Sequence, residues 1–181
     1  MAYSFRELKG RRTLITGEVR SGKTRLTTKL LKQATNELPS EKIFVLDFAP
    51  NAETPSGAIG LKLKVPASRN VKYLAPERVY APRLEGKNSK EVLVLARRNK
   101  TAIDKLLRHA FGKIVFVNDV TLYLHCGSAR KLIDLADRTE TFIANGYKGS
   151  KLSADKGSGI STRESRQLEL LASKMDLVIT T

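Results

Sequence analysis

The chain has 181 residues, 41% hydrophobic and 28% charged, which fits one globular domain with a real core and excludes a disordered class. Lys and Arg number 33 against 18 Asp and Glu, a formal charge of +15 that either attracts phosphates, nucleic acid or another anionic partner or is a solvated basic surface, while a single cysteine, Cys126, excludes internal disulfides and a zinc-thiolate cluster. No apolar run reaches the about 18 residues of a membrane span, and Met1-Ala2-Tyr3-Ser4-Phe5-Arg6-Glu7 lacks a secretory apolar region, so no membrane partner and a cytoplasmic location are expected.

The first element is Arg12-Thr13-Leu14-Ile15-Thr16, a β-branched, apolar run that predicts a buried strand. It leads into Gly17-Glu18-Val19-Arg20-Ser21-Gly22-Lys23-Thr24, a complete G-x-x-x-x-G-K-[ST] spacing. Leu26, Leu30 and Ala34 then recur every four residues, with Leu31 beside them, as on the apolar face of a helix. A strand, a glycine loop and a helix N-terminus aim a row of backbone N–H groups at one point, which makes a site for an anion. The residues expected to hold a nucleotide are therefore Gly17, Glu18, Val19, Arg20, Ser21, Gly22, Lys23, Thr24 and Arg25. Lys23 would reach the outer phosphates, and the Thr24 hydroxyl would take Mg²⁺.

Residues 42–48 form a second apolar run that closes near Asp47. Residues 49–57 are rich in breakers and open a basic segment: between positions 60 and 113, fourteen Lys and Arg face four Asp and Glu. The segment is read as an insertion at about 50–98 within a single domain spanning 1–181. Inside it, residues 71–74 suggest a further strand. Ile103, Leu106, Leu107 and Ala110 predict a helix, with Thr101 and Asp104 as its capping pair. Tyr73 and Tyr80 lie among Lys72, Arg78 and Arg83, a grouping suited to stacking on single-stranded nucleic acid. A solvated basic surface is the plain alternative.

Residues 113–119 predict the next strand, four apolar residues followed by Asn118 and Asp119. Ligands of open α/β sheets bind at the carboxyl ends of strands. Asp119 is thus the candidate to position Mg²⁺ through water and to share catalysis with Lys23, and Asp47 is a second candidate for the metal. Either Asp has another reading, a strand-ending carboxylate that caps a turn. Val120 rather than Glu follows Asp119, so fast hydrolysis is not expected. The guanine-reading Asn-Lys-x-Asp is missing, since Asn99-Lys100-Thr101-Ala102 departs at its last position. His125 and Cys126 are neighbours whose side chains should point apart, so Cys126 reads as a small buried residue.

Leu132, Ile133 and Ala136 mark a short helix after Gly127-Ser128, and residues 141–145 a strand. Residues 146–159 carry four glycines and almost nothing apolar. In this loop Lys148, Lys151 and Lys156 lead toward Arg163 and Arg166, either as a basic lid for phosphates or as an ordinary solvated loop. Leu168, Leu171, Ala172 and Met175 mark the last helix, with Ser161 and Glu164 before it, and residues 175–180 the last strand. The alternation predicts an α/β protein of three layers, a mostly parallel sheet of about five strands with helices on both faces.

The loop, the Asp119 strand and this alternation resemble the P-loop NTPases. Residues 114–180 are similar in layout to the P-loop ATP:corrinoid adenosyltransferases. In both, an Asp-ended strand runs into an aromatic-apolar segment, here Val120-Thr121-Leu122-Tyr123-Leu124. A short helix, a strand with a Gly turn, and a helix leading to Lys174-Met175-Asp176-Leu177-Val178 follow, and residues 42–50 also resemble that family's second strand. That family's loop has a shorter spacing, and its acidic pair is here Asp119 alone. Thr16-Gly17-Glu18-Val19-Arg20-Ser21-Gly22-Lys23-Thr24 is similar to the loops of cobinamide and small nucleotide kinases. The resemblance implies a Mg²⁺-dependent protein that binds ATP or another nucleoside triphosphate, working as a slow NTPase or a phosphoryl or adenosyl transferase. Two other functions stay open: a nucleic-acid-associated ATPase or accessory module using residues 60–113, and a regulatory protein that binds nucleotide without chemistry.

Overall fold

A computed structural model describes residues 3–50, 53–54, 57–58 and 61–181; Gly60 and part of the breaker-rich stretch lie outside the described residues. In chain order the elements are α1 (Phe5–Leu8), β1 (Arg12–Gly17), α2 (Lys23–Glu37), β2 (Ile43–Asp47), β3 (Glu53–Thr54), β4 (Gly57–Ala58), β5 (Val71–Leu74) and α3 (Pro82–Glu85). There follow α4 (Ser89–Leu107), β6 (Ile114–Asn118), α5 (Val120–Leu124), α6 (Ala129–Asp137), β7 (Thr141–Tyr147), α7 (Ile160–Ala172) and β8 (Leu177–Thr180). Six strands form one parallel sheet in the order β5-β2-β6-β7-β1-β8, one more than the five expected. The sixth is β5, a strand from the basic segment that pairs along the outer edge of β2.

Residues of the four inner strands, β2, β6, β7 and β1, are buried on both faces, and their alternation divides the core in two. Leu14, Phe44, Leu46, Val115, Val117, Phe142 and Ala144 pack beneath α4, α5, α6 and α7. Ile15, Ile43, Val45, Ile114, Phe116 and Ile143 pack against Phe5 and Leu8 of α1 and Leu30, Leu31 and Ala34 of α2. These are the three layers expected.

Two helix starts differ from the sequence reading. α4 begins twelve residues before Thr101, where the Asn88 side chain accepts from the Glu91 N–H at 3.0 Å and Glu91 accepts from the Lys87 N–H at 2.9 Å. That reciprocal cap is satisfied locally, and Val92, Ala96 and Ile103 continue one buried face through the whole helix. Asp104 instead lies in the last turn of α4, paired with Lys100 at 2.5 Å and Lys131 at 2.7 Å. α7 starts after Gly159, whose φ of +78° is left-handed, so Ser161 and Glu164 fall inside the helix. Among the described residues, no helix is long and apolar enough to cross a membrane.

Candidate functional site

β1 ends at Gly17 and α2 begins at Lys23, so the glycine loop lies between a central strand and a helix N-terminus. Gly17 is required by its neighbours: a Cβ there would lie 2.5 Å from the Thr181 carbonyl oxygen and 2.7 Å from Ser21 Oγ. Gly22 caps α2 at φ +98°, a left-handed conformation that glycine adopts without strain. Arg20 takes a left-handed turn as well, at φ +63°. The Lys23 ammonium folds back into this ring. It donates to the carbonyl oxygens of Gly17 at 3.0 Å and Glu18 at 2.6 Å, with Ser21 Oγ at 3.4 Å. Burial pushes its pKa down, and the charges of Asp119 and Glu18 push it back up. Thr24 is half-buried at the second position of α2, and Arg25 beside it is exposed.

Glu18 ties the loop to the segment after β7. Its carboxylate accepts from the N–H groups of Val19 at 2.9 Å, Ser150 at 3.0 Å and Lys151 at 3.4 Å. These bonds, that of Val19 foremost, bring its pKa down to about 2. The Lys148 N–H completes the junction by donating to the Gly17 carbonyl at 2.9 Å.

At the carboxyl ends of the neighbouring strands, polar side chains form a buried chain. Asn145 of β7 donates to Thr27 Oγ1 at 2.9 Å and to Asn118 Oδ1 at 2.8 Å, and accepts from the Asp119 N–H at 3.0 Å. Asn118 in turn donates to Asp47 at 2.8 Å. Thr27 belongs to α2 and donates to the Lys23 carbonyl at 3.0 Å, so the chain of bonds runs from the loop's own helix to β2. Sequence reasoning missed Asn145, Asn118 and Thr27. The available signal was an Asp or Asn at the end of three separate apolar runs.

The two acidic candidates have different surroundings. Asp47 is fully buried, and its oxygens accept from Ala49 N at 3.0 Å, Asn118 Nδ2, Leu63 N at 2.8 Å and Tyr73 Oη at 3.1 Å. A carboxylate offers about four acceptor positions, so in this geometry Asp47 anchors the chain around it. Tyr73 is thereby held by its hydroxyl, and the Tyr80 ring is covered by Arg78 at 4.5 Å and Arg98 at 5.9 Å. Asp119 is the first residue past β6, held left-handed at φ 57°, with one side-chain bond among the described residues, from Thr121 Oγ1 at 2.7 Å. Burial pushes its pKa up to about 7; the Thr121 bond and the Lys23 charge oppose this, and the charges of Glu164 and Asp47 add to it. Among the described residues, no group of three or more His, Cys, Asp or Glu could hold a metal by itself.

A cavity of about 480 Å³ opens beside the loop, between Thr16, Tyr147 and Val178 on the sheet edge and one flank of α7. Lys148 and Arg166 line it, together with Ser161, Thr162, Ser165 and Glu164. A smaller apolar pocket between Pro50, Pro82, Leu84 and Leu122 reaches Asp119 and shares Arg83, Tyr147 and Leu152 with the larger one. At their junction lies a buried ionic group that sequence reasoning did not find. Arg83 of α3 donates to Glu164 at 2.8 Å, and His125 Nε2 lies 2.6 Å from the same carboxylate oxygen. That short distance assigns the ring proton to Nε2, so Arg83 Nη1, 3.1 Å from Nε2, is in contact with the ring without a bond. Burial lowers the His125 pKa, and Glu164 opposes it.

Of the basic residues expected to close over phosphates, Lys148 and Arg166 therefore face the cavity. Arg163 turns to the carbonyls of Cys126 and Gly127, and Lys156 bonds the Gly86 carbonyl. Compared with known proteins, the chain matches no family model and no curated protein.

Proposed function

We propose that the chain binds a Mg²⁺–nucleoside triphosphate, ATP in the first instance, on residues 17–24 and passes a phosphoryl or adenosyl group to a second substrate in the adjoining cavity. One observation carries this reading: the Lys23 ammonium sits inside a ring of loop carbonyls at the start of a helix, behind a buried parallel strand. Rotation of the Lys23 side chain would exchange those carbonyls for phosphate oxygens. The loop amides and the N-terminus of α2 would hold the phosphates, and Lys23 would neutralise their outer charge. Thr24 would ligate Mg²⁺ directly and Asp119 through water; the ion would draw charge from the phosphates when bound. Lys148, Arg83 and Arg166, with the hydroxyls of Ser161 and Ser165, suit a polar or anionic acceptor. No carboxylate follows Asp119 to orient water, which fits slow hydrolysis in the acceptor's absence.

Calorimetric titration with Mg²⁺–ATP tests the binding step. Lys23→Ala should weaken affinity by about two orders of magnitude, the scale of a lost charge-assisted contact of roughly 3 kcal/mol. Unchanged affinity would contradict the proposal. Turnover separates the chemistries: a transferase consumes ATP slowly until its acceptor is added. Tight binding with no product across an acceptor panel would mark a regulatory protein instead.

A further inference from the structure

On the other flank of α7, away from the 480 Å³ cavity, lies a second hollow of about 400 Å³. Arg97 and Lys100 of α4 and Arg163 of α7 line it, with His125, Cys126 and Ser158. The three cations converge, since all three pull down the pKa of the Cys126 thiol that burial pushes up. Lys100 is paired with Asp104, and Arg163 holds two carbonyls, whereas Arg97 is exposed and takes part in none of the described hydrogen bonds or ion pairs.

Two buried polar atoms of residues that line this hollow lack a partner among the described residues: His125 Nδ1 and Ser158 Oγ. His125 is only 2% exposed, and its other nitrogen is taken by Glu164, so Nδ1 is the free polar atom of a buried side chain lining the hollow. Native structures rarely leave such atoms unpaired, and a ligand is one way to satisfy them. α7 opens here at Gly159 without a side-chain cap, although Asp155 already takes the Ser161 N–H at 3.0 Å. The cations and the two orphaned atoms are thus the main determinants.

We propose that this hollow is a second phosphate-binding site, separate from residues 17–24, for the phosphate of a small molecule or of a nucleic-acid backbone. The guanidinium of Arg97 and the Ser158 hydroxyl donate to phosphate oxygens. His125 Nδ1 accepts from the P–OH of a monohydrogen phosphate group; a backbone phosphodiester has no such proton and would be held by the cations and Ser158. α4 and its C-cap continue the site as an exposed basic stripe through Lys90, Arg97, Lys105 and Arg108, about 27 Å long, along which a polynucleotide backbone could lie.

The test uses the full chain with Lys23→Ala, so that the loop does not contribute, and titrates inorganic phosphate by calorimetry. This protein should still bind phosphate, and adding Arg97→Ala should weaken binding at least fivefold. Arg163→Ala should do the same. Arg163 also supports the Cys126 and Gly127 carbonyls, so the exposed Arg97 decides if that variant misfolds. A parallel arm follows a fluorescent 20-nucleotide single strand at low salt. Weakening by both Arg97→Ala and Lys105→Ala identifies a nucleic-acid backbone; weakening of phosphate alone identifies a small phosphorylated ligand. If Arg97→Ala changes neither, the proposal is overturned. Arg97→Ala should leave Mg²⁺–ATP affinity intact in the chain with Lys23 present, which keeps failure here distinct from failure of the nucleotide reading.

Discussion

Asp119 combines a left-handed backbone, one side-chain bond among the described residues and a pKa pushed up to about 7. Its ordinary value is 3.8, so the folded state holds the proton more tightly than the unfolded chain does. The stability this confers is complete below pH 4 and is lost as pH rises through about 7. Asn also tolerates left-handed backbone, so Asp119→Asn should fold normally and remove that penalty. It should stabilise the protein more at pH 8 than at pH 5, by about 1–2 kcal/mol given the residue's partial exposure. Urea midpoints at the two pH values check this; equal shifts would remove the pKa argument. On the proposed function, an ionised Asp119 is needed to hold Mg²⁺ through water. Mg²⁺-dependent nucleotide affinity should then strengthen from pH 6 to pH 8 in the natural chain and lose that slope in Asp119→Asn.

At the scale of elements, the ends of β2, β6 and β7 are joined to α2 by side chains rather than by backbone. Asn145 is the hub, with three bonds in a region closed to water. Asn145→Ala would leave Thr27, Asn118 and the Asp119 N–H each short of a partner. The expected cost is about 3 kcal/mol, read as a lower urea midpoint, because buried donors and acceptors stranded together cost more than one lost bond. A change below about 0.5 kcal/mol would mean that water or a rotated neighbour replaces those bonds. Which elements exist was largely legible: strand, loop and first helix follow from residues 12–34, and five apolar runs became central or edge strands. Their partners were not. Arg83 meets Glu164 across 81 positions, and no periodicity reports a contact of that range. The α4 start was misread because a locally plausible pair, Thr101 and Asp104, stood in a helix already capped at Asn88. α1 and α3, of four residues each, are too short to show a period.

For the whole molecule, strand order decides which residues can cooperate. β7 separates β1 from β6, so Asp119 stands two strands from the glycine loop, yet close enough for its charge to act on Lys23. Chain order alone does not give that arrangement; the carboxyl edge of a parallel sheet does. The +15 charge is also structured: part lines the cavity beside the loop, and part runs along α4 on the far side of α7. The most direct measurement of the central claim is amide NMR of the folded chain during titration with Mg²⁺–ATP. Saturable shifts centred on the N–H groups of residues 18–24, absent in Lys23→Ala, are the predicted result. Unshifted loop amides at millimolar nucleotide, or shifts confined to α4 and the start of α7, would contradict it.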